Sequence, residues 1–142
     1  MTESTRQSRG EMLAGISRGI VRLHHQYYGK GPTKAKTYAI NDTVICILRG
    51  GFTAAEQTLI RDGKSDDVEY IRRSFQKTMK MQFTKVVEEA TTRKVIAYMS
   101  QVHANPDMAV ELFVLEADDQ RLIGEHEEDL VDEEDERAAG AS

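Results

Sequence analysis

Residues 36–49 constrain the fold of this chain more than any other segment. They form two β-rich runs on either side of Asn41-Asp42, a dipeptide whose residues tolerate positive φ, and they predict a β-hairpin. The pleat separates the apolar side chains into two sets, Tyr38, Ile40, Ile45 and Ile47 on one face and Ala39, Val44, Cys46 and Leu48 on the other. Because both faces are apolar, both need a cover, from the N-terminal helix or from another subunit.

An amphipathic helix is predicted before the hairpin. Ser8 and Glu11 have the spacing of a capping box, although a start near Ser4 also fits the sequence. Apolar residues then recur every three or four positions, at Met12, Ile16, Ile20, Leu23 and Tyr27. Gly29 and Pro32 end the helix near residue 28, because glycine adopts the left-handed conformation that follows a helix and proline cannot continue one.

Two more helices and a second hairpin are predicted after residue 50. Thr53 and Glu56 form a second capping box for a short helix, and Ser65 caps a longer one. The apolar stripe of the longer helix is Val68, Ile71, Phe75, Met79, Val86 and Ala90, with Gln82 or Phe83 between them. Residues 94–102 and 109–116 alternate as strands around a turn at 104–107. The order α-β-β-α-α-β-β predicts the α+β class, with a four-stranded, mainly antiparallel sheet and helices packed on it.

Charge divides the chain into a body and an acidic tail. Residues 117–142 hold eleven acids and two arginines, a net charge of −9, which leaves +4 for residues 1–116 out of the total of −5. We expect a single domain over 1–116 and a disordered tail over 117–142, which either aids solubility or competes for an anion-binding surface. No apolar run reaches the ~18 residues of a membrane span, and no apolar signal follows the N-terminus, so we expect a cytoplasmic protein. The single cysteine, Cys46, is expected to be buried.

A ligand site, if the chain has one, is predicted where the loop at 29–34 meets the strand end at 100–103. The loop would supply positive charge and backbone donors, and the strand end would supply hydrogen-bonding side chains. The residues of this site would be Gly29, Lys30, Gly31, Lys34, Ser100, Gln101 and His103. The loop lacks the spacing of a P-loop and follows a helix, so a helix stop with a lysine-bearing linker is the competing interpretation.

Other chemistries have weaker support in the sequence. No zinc, EF-hand or nucleophile-elbow pattern occurs, so we predict no metal, no cofactor and no catalytic residue. His24 and His25 point about 100° apart on a helix and are expected at its surface and rim. Nucleic acid is not an expected partner, since the chain lacks tryptophan and an RNP-like strand. The alternative to a binding protein is a small enzyme for an anionic substrate, with His103 as acid or base and Ser100 or Glu56 as its partner.

Three stretches of the chain resemble one known family. They are RLHHQYYGKGP at 22–32, FTAAE at 52–56 and RKVIAYMSQVHANPDMAVELFVLE at 93–116. They resemble the MpsC-like family of small bacterial proteins, long a domain of unknown function and named for the C component of a proposed Na⁺-translocating, membrane-potential-generating system. The resemblance covers residues 10–116. It implies a link to membrane ion or inorganic-carbon uptake, and it implies no reaction, cofactor or catalytic residue.

The resemblance and the lack of catalytic motifs favour one function. We expect a soluble accessory or regulatory binding module for a membrane ion or inorganic-carbon transport system. The two-faced apolar hairpin favours a homo-oligomer, with a dimer as its expected form, and the resemblance favours a membrane transport protein as a candidate partner.

Overall fold

The computed structural model describes residues 2–117, and the acidic tail predicted from residue 117 lies outside them from residue 118 onward. Its three helices are α1 (Thr2–Tyr28), α2 (Ala54–Arg61) and α3 (Ser65–Thr91). Its four strands are β1 (Lys34–Ile40), β2 (Thr43–Arg49), β3 (Val95–His103) and β4 (Met108–Leu115). The predicted α+β order α-β-β-α-α-β-β is confirmed.

The four strands form one antiparallel sheet in the order β1-β2-β4-β3. Helices α1 and α3 cover one face, where Ile16, Ile20, Met79 and Phe83 pack with strand residues in the main core. The register aligns the covered face in rows across the strands: Ala35, Leu48, Ala109 and Val102; then Thr37, Cys46, Glu111 and Ser100; then Ala39, Val44, Phe113 and Tyr98. The predicted division of the hairpin into two faces is confirmed, and Cys46 is buried as expected.

The other side of the sheet, here called the open face, carries a basic row followed by apolar rows. Its rows are Lys34, Arg49, Met108 and His103; then Lys36, Ile47, Val110 and Gln101; then Tyr38, Ile45, Leu112 and Met99; then Ile40, Thr43, Val114 and Ala97. The helices of residues 2–117 lie on the opposite side, so Ile40 is 56 % exposed and Met99 55 %. Only one of the two faces has a cover within the described chain.

The local signals at helix and strand ends are mostly confirmed. Thr53 and Glu56 form the predicted capping box, with both of its hydrogen bonds present. Gly29 follows α1 with a φ of +77°, the left-handed conformation expected there. Ser65 is an exception, because it is the first helical residue of α3 and Lys64 occupies the N-cap without a side-chain hydrogen bond. The capping box predicted at Ser8 and Glu11 is another, because α1 already begins at Thr2. An irregularity in the β3–β4 register, between residues 95 and 97, shifts the alternation at the start of β3.

The buried stripe of α3 differs from the predicted one. Its buried residues are Val68, Arg72, Gln76, Met79, Phe83 and Val87. Ile71 and Phe75, which were expected inside, are 43 % and 37 % exposed. The buried stripe is shifted by one position at Arg72 and Gln76. The charge of Arg72 can be buried because it forms an ion pair with the carboxylate of Glu56.

The prediction for His24 is wrong. It was expected at the helix surface or rim, but it is only 4 % exposed. Its ring lies beside the rings of Tyr28 and Phe83, at centroid distances of 5.5 and 5.3 Å. His25 is exposed, because it lies about 100° further round the helix.

Candidate functional site

One row of the covered face is polar although its neighbouring rows are apolar. This buried polar row consists of Thr37, Cys46, Glu111 and Ser100, one residue from each strand. At one end of the row, Thr37 Oγ1 shares a hydrogen bond of 2.7 Å with Ser17 Oγ on α1. Near its centre, Glu111 is fully buried under α1, on a strand that lies between two others. The row therefore places a carboxyl group in the buried interior of the protein.

Glu111 has one satisfied oxygen and one without a hydrogen bond. Tyr98 donates its hydroxyl hydrogen to Glu111 Oε2 at 2.5 Å. Glu111 Oε1 lies 3.8 Å from Nε2 of His24, beyond hydrogen-bonding distance. Among the described residues no group forms a hydrogen bond with Oε1, and the buried Ser100 Oγ also has no such partner. A buried carboxylate oxygen without a donor is costly, so this group requires an explanation.

The surroundings of these groups shift their pKa values in opposite directions. Burial raises the pKa of Glu111 to about 7, against the hydrogen bond from Tyr98, the hydroxyl of the adjacent Ser100 and the charge of Arg72. Burial lowers the pKa of His24 to about 4, against its hydrogen bond to the carbonyl of Ile20. Burial also raises the pKa of Tyr98, and the neighbouring Glu111 raises it further. The cluster therefore favours uncharged forms of Glu111 and His24.

A second buried cluster lies at the end of the sheet where α2 begins. Arg72 donates to both carboxylate oxygens of Glu56, to the carbonyl of Gly51 at 2.9 Å, and lies 3.8 Å from the ring centroid of Tyr28. Burial alone would raise the pKa of Glu56, but hydrogen bonds from Arg72 and Thr53 and the charge of Arg72 hold it below its usual value. Arg72 and Glu56 are thus an ion pair with a structural role.

A small cavity separates the two clusters. It has a volume of about 10 Å³, room for one water molecule at most, and its lining includes His24, Phe52 and Arg72. Glu111 does not line it, so this cavity does not supply a partner for Oε1.

The predicted ligand residues share one end of the sheet but do not all lie on one face. Lys34 and His103 lie in the same row of the open face, on the two edge strands. Gln101 lies on that face too, in the next row. Ser100 faces the other way, into the buried polar row. Strand alternation therefore separates Ser100 from its predicted neighbours.

The loop residues of the predicted site make contacts within the chain. Lys30 donates from Nζ to the carbonyl of Phe52 at 2.9 Å, and Gly31 lies against Val21 and His25. A side chain at Gly31 would place its Cβ 3.3 Å from Val21 Cγ1. These contacts support the competing interpretation of the loop as a helix stop that joins α1 to the sheet.

The three residues of the enzyme alternative lie apart. His103 is exposed, and its Nδ1 lies 3.0 Å from the carbonyl oxygen of Pro106. Ser100 points to the opposite face of β3, and the carboxylate of Glu56 is bound by Arg72. The structure does not bring these three side chains together.

Tyr98 and the buried Glu111 were not predicted as site residues. A signal was present for Glu111, because it alternates in phase with Phe113 and Leu115 on one strand. A single acid in the apolar phase of a strand indicates a buried carboxyl group that needs a partner.

Comparison with known proteins agrees with the resemblance in the sequence. Residues 8–117 match the family described as "Na+-translocating membrane potential-generating system (MpsC)". The chain is 26 % identical over 113 residues to an uncharacterized protein of Bacillus subtilis (strain 168), YrhF. The aligned region covers 78 % of this chain and 89 % of YrhF. No solved structure matches it. Within residues 2–117, no helix is long and apolar enough to cross a membrane, and no group of three His, Cys, Asp or Glu side chains could hold a metal ion. The family match includes most of α1 and all the other elements, with both buried clusters, and the chain therefore belongs to the MpsC family.

Proposed function

We propose that this protein is a cytoplasmic accessory or regulatory binding module of a membrane ion-transport system, and that it works as a homodimer paired through its open face. The description of the family supplies the link to Na⁺ translocation. The binding role is inferred from the open face, whose apolar residues lack a cover in the described chain. Its two middle rows place Ile45, Ile47, Val110 and Leu112 side by side without a covering element in the described chain.

An apolar sheet face of this kind needs a partner. Water in contact with adjacent branched side chains costs free energy in proportion to the exposed apolar area, about 25 cal/mol per Å². Contiguous apolar patches on a protein surface therefore mark interaction sites. The covered face shows the alternative, since there the helices exclude water from the same kinds of residues.

Charge favours a second copy of this chain as the partner. The open face has Lys34, Lys36 and Arg49 toward one end, and its four rows contain no acid. In a dimer whose two-fold axis lies in the interface and runs perpendicular to the strands, the apolar rows of the two copies stack on each other. Their basic rows then lie at opposite ends of the interface. The pairing buries the apolar rows while the like charges stay apart and in water.

Light scattering coupled to size exclusion tests the dimer on the full chain. Ile47→Lys places a charge in the centre of the open face, and Tyr70→Lys is its matched control on the exposed side of α3. We expect twice the mass of the chain for the wild type and for Tyr70→Lys, and a folded monomer for Ile47→Lys. A wild-type monomer at micromolar concentrations would exclude the dimer.

Cells that lack the gene test the role in transport. Membrane potential and Na⁺-dependent uptake of inorganic carbon are measured with a deleted gene and after restoration with each variant. We expect the wild type and Tyr70→Lys to restore both quantities and Ile47→Lys to restore neither. Unchanged potential and uptake in the deletion cells would refute the transport role, and full restoration by Ile47→Lys would separate that role from the open face.

A basic groove favours a second function, the binding of a small anion. The groove, of about 710 Å³, lies between α1 and the loop that follows it, with Arg18, Arg22 and His25 on the helix side and Thr33 on the loop side. Backbone amide shifts during titration with inorganic phosphate and with bicarbonate test this function. Shifts confined to the groove in the wild type and lost in Arg22→Gln would support it, and unchanged spectra at millimolar anion would reject it.

A further inference from the structure

We infer that His24 and Glu111 together form a buried site that binds one proton at neutral pH. The hydrogen bond of the histidine ring fixes its tautomer. His24 Nδ1 lies 2.9 Å from the carbonyl oxygen of Ile20, one turn earlier in α1. A carbonyl oxygen has no hydrogen to donate, so Nδ1 must carry it. In the neutral ring Nε2 is then an acceptor, and it is this atom that faces Glu111.

The carboxyl group of Glu111 lies opposite this ring. Glu111 Oε2 already accepts from Tyr98, and Oε1 faces His24 Nε2 at 3.8 Å. With no proton on either group, two lone pairs face each other in the buried interior. With a proton on both, two donors face each other. With one proton, a donor faces an acceptor, and a small rotation of either side chain closes the gap to a hydrogen bond. The geometry is therefore complementary to one proton.

The other groups around Glu111 do not compete for this proton. Cys46 on β2 and Tyr28 on α1 keep their own hydrogens, since burial raises their pKa values to about 11 and about 12. Tyr98 on β3 is a donor, and the facing residues Thr37 and Ser100 do not titrate. Arg72 on α3, which is bound to Glu56, disfavours a proton on either member of the pair, and the charge of Glu56 favours a proton on His24. The described surroundings leave the His24–Glu111 pair as the group that titrates near neutrality.

The pH range of the one-proton state follows from the two shifts. The pair gains a second proton only below about pH 4, where His24 is charged, and loses its last proton above about pH 7, where Glu111 ionises. In an unfolded chain the ordinary values of 4.5 and 6.5 apply, so between them the unfolded pair also holds one proton, on the histidine. Folding in that range moves the proton from His24 to Glu111 without changing the number bound.

Release of the proton would weaken the contact between α1 and the sheet. The raised pKa of Glu111 contributes stability that is complete below pH 4.5 and is lost as the pH rises through about 7. The charge that appears lies on β4, inside the sheet, directly below α1. The proton site is independent of the open face and of the proposed role in transport.

Nuclear magnetic resonance of the wild-type full chain tests the site directly. The imidazole nitrogens of His24 and the carboxyl carbon of Glu111 are followed from about pH 3.5 to about pH 9. We expect both to report one shared transition, with a midpoint of about 7, while Nδ1 of His24 keeps its hydrogen. Separate transitions at the ordinary values of each residue would overturn the inference.

Glu111→Gln provides the second test, because its amide can donate to His24 Nε2 and accept from Tyr98 as the protonated acid does. The variant removes the carboxyl group that takes up a proton on folding when His24 releases its own. Relative to wild type, its folding equilibrium constant should fall about tenfold for each pH unit below 6.5, down to about pH 4.5.

Glu89→Gln, on the exposed side of α3, is the matched control and should follow the wild type at every pH. A ratio of Glu111→Gln to wild type that does not change with pH would overturn the inference. Should Glu111→Gln fail to fold, the resonance titration of the wild type decides alone.

Discussion

Arg72 donates to both carboxylate oxygens of Glu56, from Nε to Oε2 at 2.6 Å and from Nη2 to Oε1 at 2.5 Å. The same guanidinium donates to the carbonyl of Gly51 and lies over the ring of Tyr28. One side chain of α3 thus fixes the start of α2, the loop before it and the end of α1. Because both charges are desolvated, each depends on the other.

Arg72→Met should destabilise the protein by about 3–5 kcal/mol, because it leaves the buried Glu56 carboxylate without its cation. Urea unfolding measures the loss. The neighbouring Arg73 is exposed, and Arg73→Met should stay within about 0.5 kcal/mol of the wild type. A loss below about 1 kcal/mol in Arg72→Met would mean that Glu56 finds another partner or becomes protonated at little cost.

Tyr98→Phe should cost about 1–3 kcal/mol, because it removes the hydrogen-bond donor to Glu111 Oε2. The cost should be larger at about pH 8 than at about pH 6, since the charged carboxylate needs the donor more than the acid does. Urea unfolding at both pH values measures the difference. Tyr70→Phe, on an exposed ring, is the control and should change stability at neither pH. Equal losses at the two pH values would show that Glu111 does not ionise between them.

The fold could be predicted because its signals are local. The hairpin at 36–49 shows its two faces by alternation within fourteen residues. The capping box of Thr53 and Glu56 spans one helical turn. Each feature depends on neighbours in the sequence, so the pattern of residue types is sufficient to recognise it.

The candidate site depends on partners that are distant in sequence. His24 is buried only because α3 brings Phe83 against it, and Arg72 is buried only because Glu56 lies within reach. Neither pairing leaves a periodic signal, so His24 was expected at the surface and Arg72 was not included in the predicted stripe of α3. The predicted ligand residues show the opposite case, in which neighbours in the sequence are separated in the structure. Strand alternation sends Ser100 and Gln101 to opposite faces.

Gly19→Ala should destabilise the protein by about 1–3 kcal/mol, because the added Cβ would lie 2.7 Å from Val86 Cγ1 and force α1 away from α3. Gly10→Ala is the matched control on the same helix. Nothing lies within 4 Å of its added Cβ, so better helix propensity should stabilise the protein by up to about 1 kcal/mol. Thermal unfolding distinguishes the two, and stabilisation by both changes would mean that α1 and α3 are not in close contact at Gly19.

Cys46 should resist alkylation in the folded protein. Its thiol is fully buried in the polar row, and burial raises its pKa to about 11, so the reactive thiolate is scarce at neutral pH. Reaction requires α1 to move away from the sheet, and its rate therefore reports how often that opening occurs. Mass spectrometry of the chain, which has a single cysteine, follows the labelling in buffer and in urea. Gly19→Ala should accelerate labelling in buffer and Gly10→Ala should not, because only the first disturbs the packing of α1. Labelling of the wild type as fast in buffer as in urea would show that α1 does not protect this row.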